Sequence, residues 1–522
     1  MTVADVLIIG GGGAGLTAAI SAATSGSSVL VLEKCDEVGG STGRSVGSFT
    51  AANTAYQYRA GVNDSTDMFI ADMKTANGAD EERENVELRR LLAENAGSTL
   101  EWMSSIGVQF LGPTPEPPFE KPRMHNVLPN SRSYVAALVR EARARGVKIL
   151  TGVRVEQLLV DVHGAVIGAR AQGRDHFGRR AVVLATGDYS AARDLKSAFV
   201  GEGAARVDAV NPHSTGDGQR LGSSVGGVLL QMDRLYEGLR FVPGRFPDPI
   251  KLLPSTRALG RIIRFVVEHL PHRVLAILLR GALTSWVGPS NAVYLDGGIC
   301  VNARGDRLAN EESDKDLARA VAGDANRAWM IFDARVAEKF SAWPHPITTF
   351  PGVAYAYVQD FRRYRPDTFT TASTIEELAR RTGIDPDGLQ RSVRETWEEP
   401  GSDGIDRFGR SGFAGGVRRG PFYALGPMQA YITLADGGLA VDGALRVIDA
   451  DAEPIPGLFA AGSVGQGGLQ LLNHGLHIAW ALTSGRIAGR HAAQQPLRGE
   501  LVPAGAAGSA LGLPPEELTV IR

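Results

Sequence analysis

Val6-Leu7-Ile8-Ile9, followed by Gly10-Gly11-Gly12-Gly13-Ala14-Gly15, decides the fold. The first four residues are a short apolar run of the kind that forms a strand buried on both faces of a parallel sheet. Gly10, Gly12 and Gly15 stand at the spacing G-x-G-x-x-G. A small, helix-compatible stretch then runs to Gly26, and a second strand, Ser28 to Leu32, ends in Glu33. Gly10 makes the tight turn, Gly12 lets the backbone approach a pyrophosphate, and Gly15 lets the helix pack on the strand. The helix N-terminus offers N–H groups and a positive dipole end to the phosphates. Glu33 is placed to accept both ribose hydroxyls of an adenosine. The expected class is α/β, with a Rossmann-like dinucleotide-binding domain.

NAD and FAD both suit this opening, and three later segments favour FAD. Residues 39–47, GGSTGRSVG, form a second glycine-rich loop, as needed when a long dinucleotide extends its flavin across the sheet. Residues 181–187, AVVLATG, are an apolar strand ending in a small turn. Residues 457–463, GLFAAGS, repeat that pattern before a helix reaching Gly489.

The 522 residues suffice for two or three compact units. Lys and Arg number 55 against 57 Asp and Glu, a net charge of −2, so no nucleic-acid partner is expected. Two cysteines, Cys35 and Cys300, exclude a disulfide framework, a four-cysteine zinc site, a redox Cys pair and c-type haem attachment. The N-terminus lacks a basic, apolar leader, so the expected location is cytoplasmic. Residues 82–106 have helical apolar periodicity. Thr256 to Val287 is apolar with interspersed Arg261, Arg264, Arg273 and Arg280. It packs on its surroundings with snorkelling arginines, or it makes a peripheral membrane contact through which the protein is membrane-associated. Residues 491–522, rich in Ala, Gly and Pro, are expected to form a loosely held tail.

Together with HSTGDGQRLGSSVGG (213–227), GGICVNARGDRLANE (297–311), GIDPDGLQRSV (383–393), GPFYAL (420–425) and GRIAG (485–489), these motifs make the chain resemble the fumarate reductase/3-ketosteroid dehydrogenase superfamily of FAD-dependent oxidoreductases. The resemblance implies an FAD-binding domain split into residues 1–234 and 421–522. An α+β cap that meets the substrate is inserted over 235–420. It implies cofactor contacts from Gly10, Gly12, Ala14, Gly15, Glu33 and Lys34, and from Gly40, Ser41, Thr42, Gly47 and Val155. Further contacts are implied for Ala185, Thr186, Gly187, Asp217, Gly462, Ser463, Leu476, His477 and Ile478. The N–H groups from Gly475 to Ile478 would stabilise the reduced flavin. The loop 40–44 lacks the histidine that ties flavin covalently in succinate dehydrogenase relatives, so FAD should be non-covalent. Electrons would pass through a separate quinone, dye or redox protein.

The superfamily's reaction makes or removes a C=C bond next to a carbonyl or carboxylate. Two arginines clamp the substrate carboxylates of fumarate reductases. Lys315 and Leu472 stand at their positions here, and neither reproduces a bidentate guanidinium. The ketosteroid dehydrogenases polarise their ketone with a tyrosine and a glycine N–H. The glycine matches Gly475, but Leu471 replaces the tyrosine, leaving His474 or Asn473 to compensate. Tyr431 is the first candidate for proton transfer, with Tyr294, Lys315 and His125 as alternatives. A 3-ketosteroid-like or other apolar cyclic ketone is the leading substrate class. The rivals are an unsaturated carboxylate, reduced as fumarate reductases do, and a flavin-binding partner protein without turnover.

Overall fold

The computed structural model describes the whole chain except residues 245–248, 271, 287, 351–352, 398–404, 500, 505–509 and 522. The chain begins with strand β1 (Thr2–Ile9), helix α1 (Gly13–Thr24) and strand β2 (Val29–Leu32). Helix α2 (Val86–Ser105) starts where the Asn85 side chain accepts from Leu88 N at 3.1 Å, four residues later than its apolar periodicity suggested. Strands β3 (Lys148–Leu150) and β4 (Arg174–Leu184) extend the first sheet. β1 lies parallel between β2 and β4, with Ile9 opposite both Leu32 and Leu184. All four residues of the quoted run, Val6 to Ile9, are buried, which is why the strand carries no polar face.

The chain then builds a second sheet from β5 (Leu235–Phe241), β6 (Ala328–Phe332) and β7 (Phe422–Ala435). Helices α3 (Arg257–His269), α4 (His272–Trp286) and α5 (Asp314–Gly323) lie between β5 and β6 in sequence. β7 is the spine of this sheet and pairs with both β5 and β6. The sequence placed residues from 421 in the returning part of the FAD-binding domain and residues 1–234 in its first part. By strand pairing, however, β7 lies in the second sheet, and Asp208–Ala209 joins it there. Gly420-Pro421 is a breaker, but a breaker marks the end of an element and not the sheet that receives the next one.

The chain re-enters the first core at Ala435 and Leu439. Strand β8 (Pro454–Ala460) lies parallel beside β4, and helix α6 (Leu476–Gln494) covers the sheet next to α1. The approach of the two helices needs glycine. A Cβ on Gly485 would stand 2.4 Å from Ala14 O, and one on Gly489 2.1 Å from Ala18 O. The tail is tied down more than its composition suggested. Val520–Ile521 pairs with Leu229–Leu230, and Ala510 and Leu518 are buried. Among the described residues, no helix is long and apolar enough to cross a membrane, and no cluster has the make-up of a metal site.

Candidate active site

A cleft of about 870 Å³ opens along the C-terminal ends of β1, β2, β4 and β8. Its wall brings together Gly10, Gly12, Ala14, Glu33, Lys34, Gly40, Ser41 and Thr42. It also gathers Val155, Ala185, Thr186, Gly187, Asp217, Gly462 and Ser463. No side chain caps α1, whose N-cap is Gly12, and a Cβ on Gly12 would meet nothing within 4 Å. That leaves the helix N-terminus open to a phosphate. Gly15 stands behind the turn, where a Cβ would fall 1.9 Å from Gly10 O. Glu33 is held by two backbone donors, Gly11 N at 2.7 Å and Cys35 N at 2.8 Å. Lys34 Nζ and Arg154 both donate to Asp217, each at 3.0 Å. Burial would raise the Asp217 carboxyl, but Arg154 and Lys34 outweigh it and hold the carboxyl below its usual range. Thr186 Oγ1 is buried without a partner on the cleft wall. An open helix terminus, a fixed carboxylate and an orphaned hydroxyl suit an adenine dinucleotide.

The remaining expected cofactor residues lie outside this cleft. The Gly47 carbonyl accepts from Tyr134 Oη at 2.9 Å, which fixes the end of the second glycine-rich loop. Leu476, His477 and Ile478 open α6 behind Gly475, a left-handed N-cap with φ +82°. That turn is pinned to the strand after the loop. Thr50 Oγ1 donates to His474 O at 2.7 Å, and Thr50 N donates to Gly475 O at 3.3 Å. His477 Nε2 meets Asp436 Oδ1 at 3.2 Å. The wholly buried Asp436 also accepts from Tyr236 Oη and from Gln466 Nε2, both at 2.5 Å.

His474 projects into open space inside this region. Its side chain is 71 % accessible although protein surrounds it on most sides. Its Nδ1 bonds Glu116 Oε1, and this partner raises its pKa above the ordinary imidazole value against the pull of burial and of Arg240. Arg240 lies on β5. The pairing of Arg240 with Gln429 and of Gly238 with Tyr431 puts Arg240, Gln429 and Tyr431 on one face of the sheet. Tyr431 Oη donates to Gln429 Oε1 at 2.9 Å, and burial raises its pKa. Arg240 is half-buried, and desolvation lowers its pKa. Among the described residues no carboxylate pairs with its guanidinium. It borders a second cavity together with Tyr236, Gly238, Tyr294, Pro289, Asp314 and Thr433. Tyr236 links the cavity to the α6 N-terminus, since its ring contacts that of His477 edge-on at 6.1 Å.

The other expected proton-transfer residues are more deeply or differently placed. Tyr294 is buried beside Cys300 yet lines the cavity that Arg240 borders, and burial raises its pKa far above the ordinary phenol value. Lys315 is exposed on the first turn of α5, where its charge bears on Glu237. His125 is fully buried against Thr54 Oγ1, and burial pushes it down to about 4. Sequence reasoning missed Glu116 and Arg240. Glu116 lies 358 residues from His474, inside the proline-rich stretch TPEPPFE, with no local mark of its partner. Arg240 had a signal, a lone cation in an otherwise mostly apolar strand.

The sequence profile of the family described as the FAD binding domain matches residues 5–262 and 280–476. A probable fumarate reductase, Ifc3, from Shewanella frigidimarina is 25 % identical over 504 residues, covering 94 % of this chain and 75 % of that protein. The 4-oxocyclohexanecarboxylate 2-dehydrogenase of Sinomonas cyclohexanicum is 25 % identical over 587 residues, covering 94 % of this chain and 93 % of that one. Among solved structures, the open conformation of a flavocytochrome c3 fumarate reductase superposes with a TM-score of 0.70 at 24 % identity. That match covers 94 % of this chain and 78 % of the other.

Proposed function

The chain belongs to the FAD binding domain family, and on that premise we propose an oxidoreductase that forms or reduces a C=C bond α,β to a carbonyl. The FAD is held non-covalently, and when bound it supplies hydride exchange with the β-carbon. The supporting observation is the unpaired guanidinium of Arg240 at the cavity that also meets Tyr236. A half-buried cation without a partner is costly unless a ligand anion or polarised oxygen completes it. Arg240 therefore receives the carbonyl or carboxylate oxygen that activates the double bond. His474 exchanges the proton at the α-carbon, and Glu116 orients its ring and favours its protonated form. Tyr431 shapes the same face.

The substrate is an unsaturated acid, or a cyclic keto acid, with one anionic group and an apolar body. Two of the relatives are named for carboxylate substrates, and one of those names combines a ring ketone with a carboxylate. An uncharged ketone of the 3-ketosteroid kind is the second reading, favoured by Tyr431 and the N-cap position of Gly475. Reduced-dye assays with enoates, beside artificial-acceptor assays with ketones, separate the two. Arg240→Leu should raise KM for a carboxylate substrate roughly 10- to 100-fold, matching the ~1.5–3 kcal/mol of a hydrogen bond to a charged group. Unchanged KM for every active carboxylate would remove Arg240 from the site. Bound FAD that no compound in either panel reduces or reoxidises would identify a partner protein without turnover. Electrons are exchanged with a separate quinone, dye or redox protein.

A further inference from the structure

Helix α3 presents a stripe that no part of the described chain covers. Ala258, Ile262, Phe265, Val266 and His269 follow one another at helical spacing and are exposed, Ile262 at 60 % and Phe265 at 61 %. The opposite side of the helix holds it to the body of the protein. Gly260 packs against Leu128 O and Gln109, and Arg264 lies over the Tyr56 ring at 5.3 Å. The next helix, α4, adds exposed Val274 and Ile277. The apolar face is thus outside the packing that secures α3.

Its charge is one-sided. Residues 256–287 contain five arginines and a single acid, Glu268, in a chain whose net charge is −2. That acid is already neutralised by Arg264 at 2.7 Å. Arg261 stands exposed on the same helix, next to the apolar stripe. The family profile stops at residue 262 and resumes at 280. Phe265, Val266, Val274 and Ile277 therefore lie in a segment that the shared cofactor-binding architecture does not require.

We propose that the exposed face of α3, with the exposed residues of α4, is a docking surface for an anionic phospholipid bilayer. The apolar stripe would sink to the level of the headgroups, while Arg261 meets lipid phosphate. Arg264 and Arg280 already face Glu268 and Asp360, so the apolar stripe and the exposed charge of Arg261 select this occupant together, because an uncharged apolar partner would leave Arg261 unanswered. The proposal does not depend on the substrate.

Co-sedimentation of the FAD-loaded protein with vesicles tests it. One set is pure phosphatidylcholine, and the other contains phosphatidylglycerol as the anionic component. The proposal expects at least tenfold more protein on the anionic vesicles, release by high salt, and return to background in Ile262→Asp/Phe265→Asp. Flavin content of that variant should match the wild type. Wild-type protein that stays in the supernatant with both vesicle sets would overturn the proposal. So would equal binding by the variant. A dimer in solution that the two substitutions dissociate, without vesicle binding by the wild type, would assign the face to a second copy instead.

Discussion

Gly12→Asp should yield a folded protein that has lost its flavin. Gly12 has φ −75° and ψ −172°, an extended conformation open to any residue, and its Cβ would point into empty space. Aspartate is among the best N-cap residues, so the new carboxylate should bond the first-turn N–H groups of α1 and hold or raise Tm. Those are the groups that the pyrophosphate needs. A like charge at this point costs several kcal/mol, so FAD affinity should fall at least ~100-fold. Thermal melts and flavin absorbance after dialysis check the two effects, which have opposite signs. Retained flavin would mean that the cofactor does not approach α1.

His474→Ala should keep FAD and lower turnover by about 10²- to 10⁴-fold, the usual contribution of a positioned acid or base. The Glu116 variant gives the finer test. In the reducing direction His474 must carry a proton, so the rate falls as pH rises through its pKa. Glu116 raises that pKa, so Glu116→Gln should move the alkaline fall to lower pH. In the oxidising direction the same substitution should move the acid limb the same way. An unmoved pH profile would show that His474 is not the titrating group. Tyr431→Phe should be milder, since its hydroxyl already donates to Gln429.

The dinucleotide half of the molecule was legible because its chemistry is local. A strand, a turn, a helix start and Glu33 lie within 33 residues, and each glycine has its own steric reason. The half proposed to face the substrate is assembled from distant pieces. Glu116 reaches His474 only through tertiary packing, and Arg240 faces Tyr431 only because of the register between β5 and β7. Tyr294, ahead of Gly297-Gly298, was legible from its sequence context, and it lines the cavity that Arg240 borders while packing in the second core. The sheet that receives the strand after Gly420-Pro421 was obscured for a similar reason, since strand patterning shows which residues are buried but not which sheet receives them.

On the proposed reading, this chain exchanges a hydride and a proton with a carbon–carbon bond next to a carbonyl. The most direct test is anaerobic mixing of the dye-reduced protein with a panel of enoates and enones, followed through the flavin absorbance. At least one carboxylate-bearing compound should restore the oxidised spectrum, far more slowly in His474→Ala. Reduced flavin that dioxygen reoxidises but no unsaturated carbonyl compound does would contradict it.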